Sequence, residues 1–176
     1  MSSSQVIRFH KYIVTPQVFY KTTSSYGIVN MRPLIPGHVL ICPMRVVPRL
    51  ADLSPAEITD LFLSVQKVGK VIEKEYGGQG LTMSCQDGSA AGQSVPHVHI
   101  HLLPRRTTDF NGQNDDVYPA LERSEHQLDG NLAEVAQETG NERNVMKVPK
   151  DEDRKCRTAE DMAEEAERLA TLFRDE

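Results

Sequence analysis

Cysteine is scarce in this chain. The three thiols, Cys42, Cys85 and Cys156, are odd in number and show no Cys-x-x-Cys spacing. That excludes a disulfide framework or a zinc knuckle as the organising device and fits reduced thiols in an intracellular protein. Cys42 and Cys85 lie in apolar, strand-like runs, where buried packing is their expected role. An excess of positive charge is missing as well. Twenty Lys and Arg against twenty-five Asp and Glu leave a net charge of −5, which argues against nucleic-acid or membrane-surface binding as the main task. An anionic small molecule remains open, because local donors decide that. No apolar run approaches a membrane span, and Met1 to Gln5 lack the basic and apolar regions of a signal peptide. The expected compartment is the cytoplasm, with the nucleus as a second one. No internal repeat is present, and 176 residues make a single domain over 1–176, long enough for a real core.

The chain does have six histidines, and three of them alternate with apolar residues in His-Val-His-Ile-His-Leu-Leu, residues 97–103. Side chains alternate faces along a strand, so His97, His99 and His101 are predicted to share one face. Pro104 is the expected stop. Other strands are predicted at Val18–Lys21, Tyr26–Asn30, Gly37–Cys42 and Leu81–Gln86.

A long helix is signalled between them by Ser54 as N-cap, Pro55 at the first helical position and Glu57 closing a capping box. Ile58, Leu61, Phe62, Val65, Val68 and Ile72 form its apolar stripe, and Gly77–Gly78 end it. From Thr107 to Arg157 the composition turns polar. A long mobile loop is expected over 107–157, with at most a short helix at Asn131–Gln137. A C-terminal helix, 158–174, resumes at Thr158 and Asp161. The fold class is therefore α+β on an antiparallel sheet.

Three aligned imidazoles could hold a metal, be merely solvated, or catalyse. At about 3.3 Å per residue the backbones of His97 and His101 stand about 13 Å apart, so at most two neighbours could share one zinc. Further ligands would have to come from His38 or Asp87. Simple solvation gives no reason for three cationisable groups at alternate positions. Nucleophilic catalysis explains the spacing better. A neutral imidazole attacks through one nitrogen while an acceptor holds the other N–H. One neighbour of a central His99 can orient it while the other donates a hydrogen bond or proton. The preceding loop, Gly92, Gln93, Ser94 and Val95, offers successive backbone N–H groups suited to anionic oxygen, so phosphorus is the natural electrophile.

The pattern His-φ-His-φ-His-φ-φ, with φ apolar, resembles the signature of the histidine triad superfamily of nucleotide hydrolases and transferases. VNMRPLIPGHVLICP (Val29–Pro43), QDGSAAGQSVPHVHIHLLPRR (Gln86–Arg106) and Asp109–Phe110 resemble its fragile-histidine-triad branch in particular. The polar segment after about Glu122 looks like the extended loop of fungal-type relatives. This resemblance implies a twisted antiparallel sheet with a long helix and a C-terminal helix, extended into one larger sheet by homodimerisation. It implies cleavage of diadenosine triphosphate, and of the tetraphosphate, to AMP plus ADP or ATP.

By the same resemblance His99 is the nucleophile that forms a nucleotidyl-histidine. The His97 carbonyl holds the His99 ring N–H, and His101 tends phosphate oxygen and the leaving group. His38 supports the triad from behind. Asn30 corresponds to a ribose-side contact and Gln86 to a contact beside the nucleotide. Gly92 to Val95 correspond to the phosphate loop, with Gln93 and Ser94 as side-chain donors. Tyr118 resembles a loop tyrosine of the branch.

No protein-held metal is implied; Mg²⁺ or Mn²⁺ arrives with the polyphosphate. A nucleotide-binding signalling module and an adenosine phosphoramidate hydrolase are the alternatives. The phosphoramidase branch ends in Trp-Pro, which this Trp-free chain lacks. The nucleotide-sugar transferases replace the third histidine by Gln, whereas His101 is present.

Overall fold

The computed structural model describes residues 5–138 and 157–174. An N-terminal hairpin pairs β1 (Arg8–Phe9) with β2 (Tyr12–Ile13). The main sheet contains β3 (Val18–Lys21), β4 (Ser25–Val29), β5 (Val39–Pro43), β6 (Gly80–Ser84) and β7 (Ile100–Arg105). Their order is β3-β4-β5-β7-β6, and every neighbouring pair is antiparallel. β4 and β5 are buried along their whole length, as central strands covered on both faces must be. The sheet is the expected one, with ends shifted by one or two residues.

The histidine strand differs from its expectation. β7 begins at Ile100, so His97 and His99 lie just before it. The reason is local: His97 N–H donates to Val95 O and Val98 N–H to Val47 O, both at 2.8 Å, outside the sheet ladder. At the other end Pro104 does not stop the strand. It pairs with Leu81 of β6, while the β5 ladder has already ended at Leu102. With one neighbour instead of two, a residue without N–H is tolerated.

Helix α1 (Pro55–Tyr76) carries the predicted capping box at Ser54 and Glu57 and ends at Gly77 in the left-handed region, φ 63°. Leu61, Val65, Val68 and Ile72 are buried and pack across β4 to β7. Phe62, expected in that stripe, is instead 49% exposed. It lies at the margin of a face where the sheet ends at β6. Helix α3 (Ala159–Thr171), N-capped by Thr158, buries Met162, Ala166 and Leu169 and packs on β3 and β4. Tyr76 Oη donates to Glu165 Oε1 (2.8 Å), joining the end of α1 to α3.

The loop expected over 107–157 is corrected over its first part. Residues 117–138 form a third helix, α2 (Val117–Glu138). Val117, Ala120, Leu121, Leu128 and Leu132 are buried along it, a helical stripe thinned by polar neighbours. Pro119 sits in the first turn, where its missing N–H costs nothing. Residues 139–156, including Cys156, lie outside the described residues.

Candidate active site

Gly37 sets the position of the first site histidine. Its φ is +82°, and a Cβ there would meet the Tyr76 ring at 2.5 Å and Pro104 at 2.8 Å. Only glycine lets the turn into β5 press against α1 and β7. His38 then enters the sheet beside His101, because Leu40 is paired with His101 across β5 and β7.

The backbone dictates the tautomers of four imidazoles. His97 Nδ1 accepts from His10 N–H (2.9 Å), so its Nε2–H donates to Pro43 O (2.9 Å). His38 Nδ1 accepts from Leu34 N–H (3.2 Å), leaving its Nε2–H for His101 Nδ1 (2.9 Å). The proton of His101 therefore sits on Nε2. His99 Nδ1 lies 2.7 Å from His97 O, a bond that places a ring proton on Nδ1 and turns Nε2 toward the site. Phe9 stacks on His97 and meets His99 edge-on, each with centroids 5.3 Å apart. The N-terminal hairpin thus covers the triad.

Burial pushes the His97 imidazole down to about 4, its bond to Pro43 opposing weakly. Burial also lowers His101, against the opposing pull of Glu125. Both rings are thereby held neutral, as the tautomers require.

Glu125, on α2, was not anticipated. Its carboxylate is 1% exposed and lies at the centre of the cluster. Oε2 is 2.9 Å from His99 Nε2 and 3.3 Å from His101 Nε2. Oε1 accepts from Ser94 N–H (2.9 Å) and lies 3.1 Å from Ser94 Oγ, which also donates to Glu125 O (2.6 Å). Burial alone would raise this carboxyl, but the hydrogen bonds from His101, His99 and Ser94 hold it below the usual carboxylate range.

The remaining predicted residues divide. Gln86 and Gly92 line an open cleft of about 500 Å³ together with Ser89, Glu122, Glu125 and His126. Gln86 Oε1 is buried there without a hydrogen-bond partner, a group suited to a ligand. Gly92 has φ +92°, and Val95 is fully buried. The Gln93 side chain accepts from Gly88 N–H and donates to Pro48 O, so in this structure it braces the loop. Asn30 is buried, its Oδ1 holding Arg32 N–H (2.9 Å) and its amide 3.2 Å from His38 Nε2. It therefore faces the histidine relay.

Asp87 is no metal ligand, since it holds Leu50 N–H (2.8 Å) and pairs with Arg49 (3.2 Å). Among the described residues, His99, His101 and Glu125 do bring three donor atoms within 4.8 Å of one another.

Fold and site together define an α+β protein with a buried imidazole relay beside a glycine-rich, N–H-rich loop. The model of the HIT domain matches residues 13–108, and the chain belongs to that family. It is 49% identical to the asymmetrical bis(5'-nucleosyl)-tetraphosphatase of Schizosaccharomyces pombe, over 96% of this chain and 94% of that protein. It is 44% identical to an Arabidopsis thaliana bifunctional bis(5'-adenosyl)-triphosphatase/adenylylsulfatase, over 94% and 83% of the two chains. Among solved structures, Plasmodium falciparum diadenosine triphosphate hydrolase, in complex with cyclomarin A, superposes with a TM-score of 0.70. It has 26% identity and covers 99% of this chain and 88% of that one.

Proposed function

We propose that this chain hydrolyses dinucleoside polyphosphates, cleaving diadenosine triphosphate to AMP and ADP, and the tetraphosphate to AMP and ATP. The observation that carries the reading is the placement of His99 Nε2, its ring oriented by the 2.7 Å bond from Nδ1 to His97 O, among the Ser94 and His101 donors. Those donors now hold two carboxylate oxygens, which stand in for two non-bridging phosphoryl oxygens.

In the first step His99 Nε2 forms a bond to the α-phosphorus while the bond to the bridging oxygen breaks, and the nucleoside diphosphate leaves. His101 Nε2–H donates to phosphoryl or leaving-group oxygen, its tautomer maintained by His38. In the second step water adds its oxygen to the same phosphorus as the P–N bond breaks, releasing AMP and restoring His99. Ser94 N–H and Oγ stabilise charge that develops on the phosphoryl group. Gln86 faces the nucleotide in the cleft. Mg²⁺ or Mn²⁺ enters as part of the polyphosphate substrate.

We also infer that the working unit is a homodimer. Among the described residues β6 is an edge strand of the sheet. Beside it lies an apolar hollow of about 320 Å³ lined by Phe62, Val65, Leu81 and Met83, with Met83 59% exposed. A second copy can pair at that edge and cover the hollow, whereas nucleic acid and membranes are not expected partners.

The test is incubation with diadenosine triphosphate and Mg²⁺, products separated by chromatography. AMP and ADP in equal amounts are expected, and none from folded His99→Ala. Intact substrate with the native chain would overturn the proposal.

A further inference from the structure

Glu125 is an anomaly as a helix residue. It lies in the buried stripe of α2, between Leu121 and Leu128, where an ionised carboxylate is unfavourable unless donors surround it. Among the described residues, the donors around its carboxylate all belong to the triad site: Ser94 N–H and Oγ, His99 Nε2 and His101 Nε2. The helix thus delivers an anion into the cradle that the hydrolase reading reserves for phosphate.

His99 gives its Nδ1–H to His97 O, so a neutral ring would present a lone pair to the Glu125 oxygen 2.9 Å away. Two lone pairs repel at that distance. The contact requires a proton between Nε2 and Oε2, and that proton removes the pair His99 needs for attack. Space and reactivity are blocked by one side chain.

We propose that Glu125 is an internal ligand of the phosphate cradle, making α2 an autoinhibitory strap that an incoming phosphoryl group must displace. The identity of that group rests on the hydrolase reading above. The cleft beside the site has the required position, since Glu122, Glu125 and His126 form its α2 wall opposite Gln86 and Ser89. Beside its buried apolar stripe, α2 is held near the site by polar contacts that can be exchanged for water: Tyr12 Oη donates to Asp129 Oδ1 (2.8 Å) and Arg32 to Gln127 (3.4 Å). Displacement costs the same whichever anion enters. Removing the carboxylate therefore tightens every phosphoryl ligand by one common factor, lowers KM and leaves the chemical step in place. A group that took part in the chemistry would instead change kcat.

The experiment compares the native chain with Glu125→Ala and Glu125→Gln by calorimetric titration with AMP and by steady-state kinetics with diadenosine triphosphate. In Glu125→Ala, AMP binds about tenfold tighter or more, and kcat/KM rises by a similar factor through KM. Unchanged or weaker AMP binding, or no AMP binding at all, overturns the strap. A second readout needs no variant: saturating AMP should speed amide hydrogen exchange along 120–132 of the native chain, and unchanged or slower exchange there contradicts the proposal. If neither form hydrolyses the dinucleotide, the hydrolase reading fails, while titration and exchange still decide the strap.

Discussion

His97 supplies a pH-dependent part of the stability that can be isolated. Its imidazole titrates at about 4 in the folded chain, against 6.5 for a free histidine, chiefly because it is buried. With the folded value below the unfolded one, the neutral ring is stabilising above pH 6.5, and that stability is lost as the pH falls toward 4. Over this window the unfolded chain binds a proton that the folded chain refuses. From these two values the loss is about 2 kcal/mol at pH 5 and about 3 kcal/mol at pH 4.

Glu125 does not obscure the comparison of pH 7 with pH 5, because its carboxyl is held low in the folded chain and its contribution starts to fade only as the pH falls through the ordinary carboxylate value of 4.5. His101, also lowered by burial, adds a slope of the same sign. The control is His97→Gln, whose amide can donate to Pro43 O without titrating. Urea unfolding at pH 7 and pH 5 gives the double difference. We expect the native chain to lose about 2 kcal/mol more than His97→Gln between the two. Equal losses would refute the buried, neutral His97.

Three further outcomes follow from particular contacts. Gly37→Ala should lower stability by about 2 kcal/mol or more, from the left-handed backbone and the overlap with Tyr76 and Pro104; urea unfolding measures it, and a loss below about 0.5 kcal/mol contradicts the packing. Thr158→Ala removes the side-chain cap of α3 and should cost about 1 kcal/mol in the same assay. Met83→Glu, on the exposed edge strand β6, should shift sedimentation from dimer to monomer, while a native chain that is already monomeric would remove the dimer proposal.

The sheet, α1 and α3 were legible because each carries a local signal: β-branched alternation, the Ser54 and Thr158 caps and the Gly77 stop. α2 was not, because Pro119, Gly130 and many charged residues mask its stripe. Read at helical spacing, Val117, Leu121, Leu128 and Leu132 would have shown it, with Glu125 as the one acid on the buried face among the described residues. The triad itself was legible from spacing, and the loop from its glycines. The use of Gln93 as a brace and of Asn30 as a neighbour of His38 was not, because contacts between distant segments leave no trace in local sequence. For the same reason Phe9 and His10, brought over the triad by the N-terminal hairpin, could not be read from the motif.

The most direct measurement of double displacement through His99 is the configuration at the α-phosphorus. A dinucleoside triphosphate made chiral there by sulfur substitution is hydrolysed in oxygen-18 water, and the AMP thiophosphate product is analysed. Attack by His99 followed by attack by water inverts twice, so we predict net retention. Net inversion would mean that water attacks the substrate directly and that His99 is not the nucleophile.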